Sequence, residues 1–269
     1  MKRVSFDPSW PESVKTSHFY DELEFWQSRS NLGYTYGYEN RFKITIDLVK
    51  KAAAAPARVL DLAAAQGNFS LTLAEMGYQV VWNDLRAELV DYVRQKYEFG
   101  SIDYRPGNVF DLQIEEIGYF DVIVAAEIIE HVAHPDQFLK KLSLLLKPGG
   151  TIVLTTPNGG YIRNGLPRFS DCPDPSIYES VQFGPNSDGH IFLPYADELE
   201  VWAKKADLKL EHLILFGNSL TKGHAKTGAL LPFLPKSLIF AIEKLTRTGP
   251  KISNSRLNSA MAASLTRSA

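Results

Sequence analysis

One unbroken stretch, Phe120 to Asn158 (FDVIVAAEIIEHVAHPDQFLKKLSLLLKPGGTIVLTTPN), constrains this chain more than any other. Phe120 to Ala126 is short, β-branched and nearly uncharged, as expected of a strand covered on both faces in a parallel sheet. Glu127, Glu130 and His131 follow where that strand should end. At i, i+3 and i+4 they share one face if the chain turns helical there. From Pro135 to Lys147 the residues Phe138, Leu139, Leu142, Leu145 and Leu146 recur at helical spacing, and Pro148-Gly149-Gly150 stops the helix. Ile152 to Thr156 is the next strand. Ligands in open α/β sheets bind outside the carboxyl ends of the strands, which places the acid and histidine cluster in the expected crevice.

The same alternation extends upstream. Residues 1–40 are aromatic-rich and irregular in pattern, a cap segment ahead of a domain spanning 41–269. Helical periodicity begins near Arg41 and fades in Ala52 to Ala55. Then come the strand ARVLDLA, a helix from about Asn68 to Met76, the strand YQVVWN, a helix from about Arg86 to Lys96 and the strand SIDYRPG. Strands alternating with helices predict a parallel sheet with right-handed crossovers. Residues 158–190, rich in Gly, Pro, Asn and Ser, form a connection long enough for a lid or substrate loop. A helix over Ala196 to Ala206, a strand over Lys209 to Phe216 and a last strand over Leu257 to Arg267 complete the pattern.

A chain of 269 residues with 45% hydrophobic and 12% aromatic residues can bury one large core. Cys172 is the only cysteine, so no intrachain disulfide forms. The first residues lack the apolar core of a signal peptide, and no segment approaches the roughly 18–20 continuous apolar residues of a membrane span. The expectation is a cytoplasmic chain. Net charge is only −2, but the segment 217–256 holds seven basic residues against Glu243 alone, leaving the remainder at −8. This basic insert contains an apolar stripe (Leu238, Ile239, Ile242, Leu245) beside Lys236, Lys244 and Arg247, an amphipathic helix suited to contact with something anionic.

The strand VLDLA ends in Asp61 and runs through Leu62-Ala63-Ala64-Ala65-Gln66-Gly67 into a helix. With Asp84 ending the second strand, Gly107-Asn108-Val109 after the third and the KPGG turn, the chain resembles class I S-adenosylmethionine-dependent methyltransferases. The family's first motif is D-x-G-x-G-x-G. Here two of its glycines are Ala63 and Ala65, which narrows the approach of backbone to ligand and strains any positive φ. The resemblance implies a Rossmann-like, doubly wound α/β fold: a mostly parallel seven-stranded sheet with an antiparallel last strand, an N-terminal helical cap and a helical insert before that strand. It implies S-adenosylmethionine as cofactor, held by Asp61, Ala63, Ala65, Gly67, Asp84, Leu85, Asn108, Val109 and Glu127. Asp84 would take the ribose hydroxyls, a carboxylate having acceptor oxygens for both. Asn108 would accept from the adenine amino group. Tyr34, Tyr36 and Tyr38 would rim the cofactor, and Arg41 would pair with its methionine carboxylate.

Two chemistries remain open at the cluster. His131 alone can act as general base near neutral pH. Alternatively E-x-x-E-H binds a divalent cation that lowers the acceptor hydroxyl's pKa. Ubiquinone-pathway O-methyltransferases and small-RNA 3′-terminal 2′-O-methyltransferases share that pattern. The RNA enzymes also resemble this chain in a later histidine, which corresponds to His190 in Ser187-Asp188-Gly189-His190-Ile191-Phe192. By that analogy Glu127, Glu130, His131 and His190 are the ligands, of a set that intrinsically prefers Mn²⁺, Fe²⁺, Co²⁺ or Zn²⁺ to Mg²⁺. The leading expectation is O-methylation of a small-molecule or lipid-linked hydroxyl, with residues 230–247 lying on a membrane surface or serving as a homodimer interface. RNA 2′-O-methylation is the alternative, weakened though not eliminated by the acidic body and the absence of a recognisable RNA-binding module. A third reading is a degenerate, non-catalytic domain that binds cofactor or partner.

Overall fold

The computed structural model describes residues 1–27, 31–182, 189–224, 226–247 and 251–268, with the side chains of 251–253 left aside. Helices α1 (Glu12–Glu24) and α2 (Leu32–Ala52) precede β1 (Arg58–Leu62), α3 (Asn68–Glu75), β2 (Gln79–Asn83), α4 (Leu89–Lys96), β3 (Ser101–Tyr104), α5 (Ile114–Ile117), β4 (Phe120–Ala126), α6 (Pro135–Leu145) and β5 (Leu146–Pro157). The remainder is α7 (Ala196–Lys205), β6 (Leu208–Asn218), α8 (Lys236–Thr246), α9 (Lys251–Leu257) and β7 (Asn258–Arg267). Among the described residues the strands form one seven-stranded sheet in the order β3-β2-β1-β4-β5-β7-β6. Neighbours from β3 to β5 pair parallel, and β7 runs antiparallel to both β5 and β6. This is the sheet expected above, with its antiparallel last strand.

The uncharged run of β4 follows from what covers it. Val122 and Val124 pack with Ile44, Leu48 and Leu73 of α2 and α3. Ile123 and Ala125 pack with Leu139, Leu142 and Trp202 of α6 and α7 on the opposite face. Burial on both faces leaves Asp121, at the strand's partly exposed start beside Lys147, as its only charged position, each large apolar side chain contributing roughly 1.5–3 kcal/mol.

Residues 1–40 are more regular than their pattern suggests. Helix α1 buries Ser17, Asp21, Glu22 and Glu24 alongside only Val14 and Leu23, so its inward face is more polar than apolar and the apolar periodicity is lost. Helix α2 starts at Leu32, where the Asn31 side chain accepts a hydrogen bond from Tyr34 N at 3.2 Å. Arg41 therefore lies within α2, and the division placed near residue 40 falls inside a helix. Helix α4 begins at Leu89, three residues after Arg86, and the chain is already strand at Leu146, before the Pro-Gly-Gly turn.

The stripe expected in the insert divides. Ile239 is fully buried with Tyr36 and Leu231, whereas Leu238 and Leu245 face outward. The face of α8 that carries Ile239 also carries Glu243, whose buried carboxylate accepts from Asn40 Nδ2 (2.8 Å), Gly217 N (2.7 Å) and Thr221 Oγ1 (2.7 Å). That carboxylate fastens α8 to α2 and to the end of β6. Two of the insert's seven basic side chains are engaged within the fold: Lys236 pairs with Glu39 at 2.7 Å, and Arg247 donates to Asn40 beside Glu243. The Lys251 side chain lies outside the described residues. Among the described residues no helix is long and apolar enough to cross a membrane.

Candidate active site

The loop after β1 has a backbone built for glycine. Ala63, Ala65 and Gly67 alternate at φ of 51°, 45° and 72°, the left-handed region that costs an L-residue roughly 1–2 kcal/mol. Neighbours hold it there: Ala65 N donates to Asp84 Oδ2 at 2.9 Å, Trp82 Nε1 to Ala65 O at 3.2 Å, and Lys96 Nζ to Gln66 O at 2.8 Å. Only at Gly67 is the glycine also a matter of space, since a Cβ there would stand 2.8 Å from Val93 Cγ1. The alanines therefore keep the motif's conformation and bear its strain.

Beside this loop is a cavity of about 400 Å³, lined by Asp61, Ala63, Ala65, Tyr34, Tyr38, Arg41, Glu127 and, from α1, Glu24. Burial pushes the Asp61 carboxyl up to about 7, partly opposed by the Ser70 hydroxyl, which donates to Oδ2 at 2.5 Å. Glu24 is likewise raised to about 7 by burial, although Arg41 acts against the shift and Tyr34 and Gln66 each donate to it at 2.7 Å. Asp84 lies at the end of β2, buried, with Arg86 Nε on Oδ1 at 2.9 Å and Arg86 Nη2 on Oδ2 at 3.0 Å. Asn108 caps a short turn by accepting from Phe110 N at 3.0 Å; Val109 is buried and Leu85 exposed. Asn108, Val109 and Leu85 do not line this cavity.

The cluster after β4 does not form a shared α-helical face. Glu127 turns at φ 54°, and only Ile129–His131 makes a helical turn, of the tighter 3₁₀ kind. Glu127 is fixed by partners of its own: Arg41 Nη1 holds its Oε2 at 3.0 Å and Thr155 Oγ1 donates to its Oε1 at 3.0 Å. Glu130 points inward, fully buried, and accepts from Thr156 Oγ1 at 2.9 Å while its Oε1 has no partner among the described residues. Burial, reinforced by the Glu127 charge, holds its pKa well above the carboxylate range. The Glu130 carbonyl accepts from Ile191 N at 2.8 Å, which docks the end of the long loop and sets the His190 ring 5.0 Å from that of His131. Glu130, His131 and His190 each present a donor atom, all within 4.8 Å of one another. Glu127 is not in that group. Ser187 and Asp188 of the same segment lie outside the described residues.

The aromatic rim is thinner than expected. Tyr34 and Tyr38 line the cavity, but Tyr36 sits on the far side of α2 with Leu231 and Ile239. Arg41, expected opposite a ligand carboxylate, is held by Glu127 and lies 3.9 Å from Glu24. Sequence reasoning missed Glu24, because the acid sits in a segment without periodicity, and Arg86, whose role depends on Asp84 two residues earlier.

A sheet in this order, with a left-handed loop after its first strand and a buried carboxylate ending its second, defines the S-adenosylmethionine-dependent methyltransferase class. The chain belongs to the methyltransferase domain family, which matches residues 38–213. It is similar to the ubiquinone biosynthesis O-methyltransferase of Xanthomonas campestris pv. campestris, 40% identical over 118 residues, covering 43% of this chain and 49% of that protein. The protein of the same name from Xanthomonas oryzae pv. oryzae is 33% identical over 175 residues, covering 58% and 64%. The match thus spans about half to two thirds of the length of these curated relatives. In fold the chain is similar to the N-methyltransferase NodS from Bradyrhizobium japonicum, solved in complex with S-adenosyl-L-homocysteine (TM-score 0.54, 11% identity, 96% of this chain and 99% of that one).

Proposed function

We propose that this chain transfers a methyl group from S-adenosylmethionine to a hydroxyl of a small or lipid-linked acceptor. The observation that carries this reading is the meeting of His131 and His190 over buried Glu130, next to the cavity that Asp61, the alanine loop and Glu127 enclose. Asp61 and Asp84 would bind the cofactor, which supplies an electrophilic methyl group. Glu127, fixed by Arg41 and Thr155, would set the wall between cofactor and acceptor. His131 would take the hydroxyl proton on an imidazole nitrogen as the methyl group is transferred, and holding the two reactants in line supplies much of the rate. The O-methyltransferase names of the Xanthomonas relatives support oxygen as the acceptor atom.

A divalent cation fits the same cluster, since Glu130 Oε1 has no partner among the described residues and the Glu-His-His donor atoms lie close together. Glu130, His131 and His190 would hold it, without Glu127. Bound there, it would lower the acceptor hydroxyl's pKa. A lipid-linked acceptor is supported by the insert, where Phe233 is 83% and Leu245 72% exposed near Lys244.

Three measurements test the reading. A flat calorimetric titration with S-adenosylhomocysteine would defeat it. Paramagnetic resonance of Mn²⁺ should report binding that Glu130→Gln and His190→Ala each weaken; binding indifferent to both leaves His131 acting without a cation. Co-sedimentation with anionic vesicles should be lost in Phe233→Glu/Leu245→Glu, and its absence from the unaltered chain rules out the lipid surface.

A further inference from the structure

Helix α2 carries Gly33, Gly37 and Arg41 at four-residue intervals, hence on one face. Lys222 of the insert lies along that face. A Cβ on Gly33 would stand 2.3 Å from the Lys222 carbonyl oxygen, and one on Gly37 would stand 2.9, 3.0 and 3.0 Å from its Cδ, Cε and Nζ. Gly217 clears the other side, where a Cβ would come within 3.3 Å of Lys222 Cε. Glycines thus open a groove for one lysine side chain. The groove runs along α2 towards Arg41, one turn further on, where the guanidinium holds Glu127.

The ammonium at the end of this groove lacks an acceptor. Burial is the main influence on it and lowers its pKa; the charges of Arg41 and Glu127 reach it, but no hydrogen bond from it to a described residue is formed. The one acid nearby on its own segment, Glu243, is saturated by Asn40, Gly217, Asn218 and Thr221. A lysine head has three donors, and no described residue accepts from any of them. Two further basic groups stand close by. His224 Nδ1 lies 3.0 Å from the Tyr161 hydroxyl, and its imidazole is affected by both Lys222 and Arg163. Arg163, on the loop that leaves β5, is exposed and pairs with no carboxylate among the described residues.

We propose that Lys222, assisted by Arg163, is an oxyanion-binding subsite for the acceptor, so that the molecule methylated carries a carboxylate or phosphate as well as its hydroxyl. The proposal rests on the methyl-transfer reading for what happens to the hydroxyl, but not for the binding of the anion. Lys222 takes the anion at the end of the glycine groove and thereby turns the hydroxyl towards His131. The anion completes the ammonium's hydrogen bonds at a place where the two nearest charges, Arg41 and Glu127, are already paired with each other and Glu243 is saturated by its own donors. Charge-assisted bonds of this kind are about twice as strong as neutral ones.

The test uses the full chain, with and without S-adenosylhomocysteine, at constant ionic strength. Benzoate, its neutral isostere benzamide and inorganic phosphate are titrated and followed by ligand-observed NMR. Expected is binding of benzoate or phosphate at least ~ten-fold tighter than benzamide, the tighter anion naming the source of the charge. Lys222→Met should abolish that preference, Lys222→Arg should keep part of it, and S-adenosylhomocysteine affinity should change less than about two-fold in either. Benzamide binding as well as both anions overturns the proposal, as does a preference that survives Lys222→Met. Should Lys222→Met fail to fold, Arg163→Met decides on the exposed arm: weaker anion binding supports the subsite and no change overturns it. A chain that ignores S-adenosylhomocysteine yet prefers anions defeats the methyltransferase reading and leaves the subsite standing.

Discussion

Arg86 closes both oxygens of Asp84: its Nε lies 2.9 Å from Oδ1 and its Nη2 3.0 Å from Oδ2, while Arg86 N and Ala65 N take one further position on each. A carboxylate offers about four acceptor sites, and all four are filled. A ribose diol bound at Asp84 must therefore displace the guanidinium. Because that pair is partly exposed and worth about 0–1 kcal/mol, Arg86→Met should tighten S-adenosylhomocysteine by up to about five-fold, whereas Asp84→Asn should weaken it by an order of magnitude or more. Calorimetry on the two variants checks both directions.

The raised Asp61 pKa, about 7 against the usual 3.8, makes cofactor binding and stability respond oppositely to pH. The acid is neutral in the fold where the unfolded chain would already ionise it. Its stabilising contribution is thus complete below pH 4 and is lost as pH rises from there to about 7. A cationic cofactor favours the ionised form, so S-adenosylmethionine should bind tighter as pH rises from 6 to 8. Asp61→Asn should flatten both profiles. An affinity profile that keeps its slope in the variant assigns the effect to Glu24, which has a similar pKa.

Ala63 and Ala65 sit where glycine would rest without strain. Each left-handed alanine costs roughly 1–2 kcal/mol, of which the entropy that glycine adds to the unfolded chain returns about half. Ala63→Gly and Ala65→Gly should each stabilise the chain by about 0.5–1 kcal/mol in denaturant titrations. Gly67→Ala should do the reverse and by more, since its Cβ would meet Val93 at 2.8 Å.

Lys96 and Asp21 form a fully buried ion pair, 2.6 Å apart, that ties α1 to α4. The same ammonium donates to Asn68 Oδ1 at 2.7 Å and to the Gln66 carbonyl, so the lysine also braces the alanine loop. Lys96→Met should cost about 3–5 kcal/mol by stranding the Asp21 charge. Asp21→Leu/Lys96→Met should recover a large part of that in thermal unfolding and yet bind S-adenosylhomocysteine poorly, its loop unbraced.

The elements legible in the sequence are those whose burial is apolar. Val122 to Ala125 and the Leu residues of α6 advertise their faces because water is excluded from them on one side or both. Helix α1 stayed hidden since it buries Asp21 and Glu24, groups whose partners Lys96, Tyr92, Gln66 and Tyr34 come from other elements. The same limit applied at the site. His190 was found because it belongs to a recognisable segment, and Asp84 because it ends a strand. The left-handed turn that sends Glu127 to Arg41 has no residue signature, glutamate being an unusual occupant of that conformation. In the sequence Lys222 is one charge of the basic segment 217–256; what sets it apart is two glycines on a helix nearly 190 residues earlier.

The bolt between Lys96 and Asp21 also bears on how ligands come and go. To swing α1 aside would expose an ion pair, open the Tyr92 hydroxyl bond to Asp21 and release the loop, a sub-global opening that is rare in a stable domain. The cavity lining also includes side chains that can turn without moving a helix: Tyr20 of α1 itself, Tyr34 of α2 and Arg86 after β2, with the two tyrosine rings 5.9 Å apart. Rotamer changes there take nanoseconds. The N-terminal helix is then a fixed wall, and a ligand enters by turning side chains rather than by moving a helix.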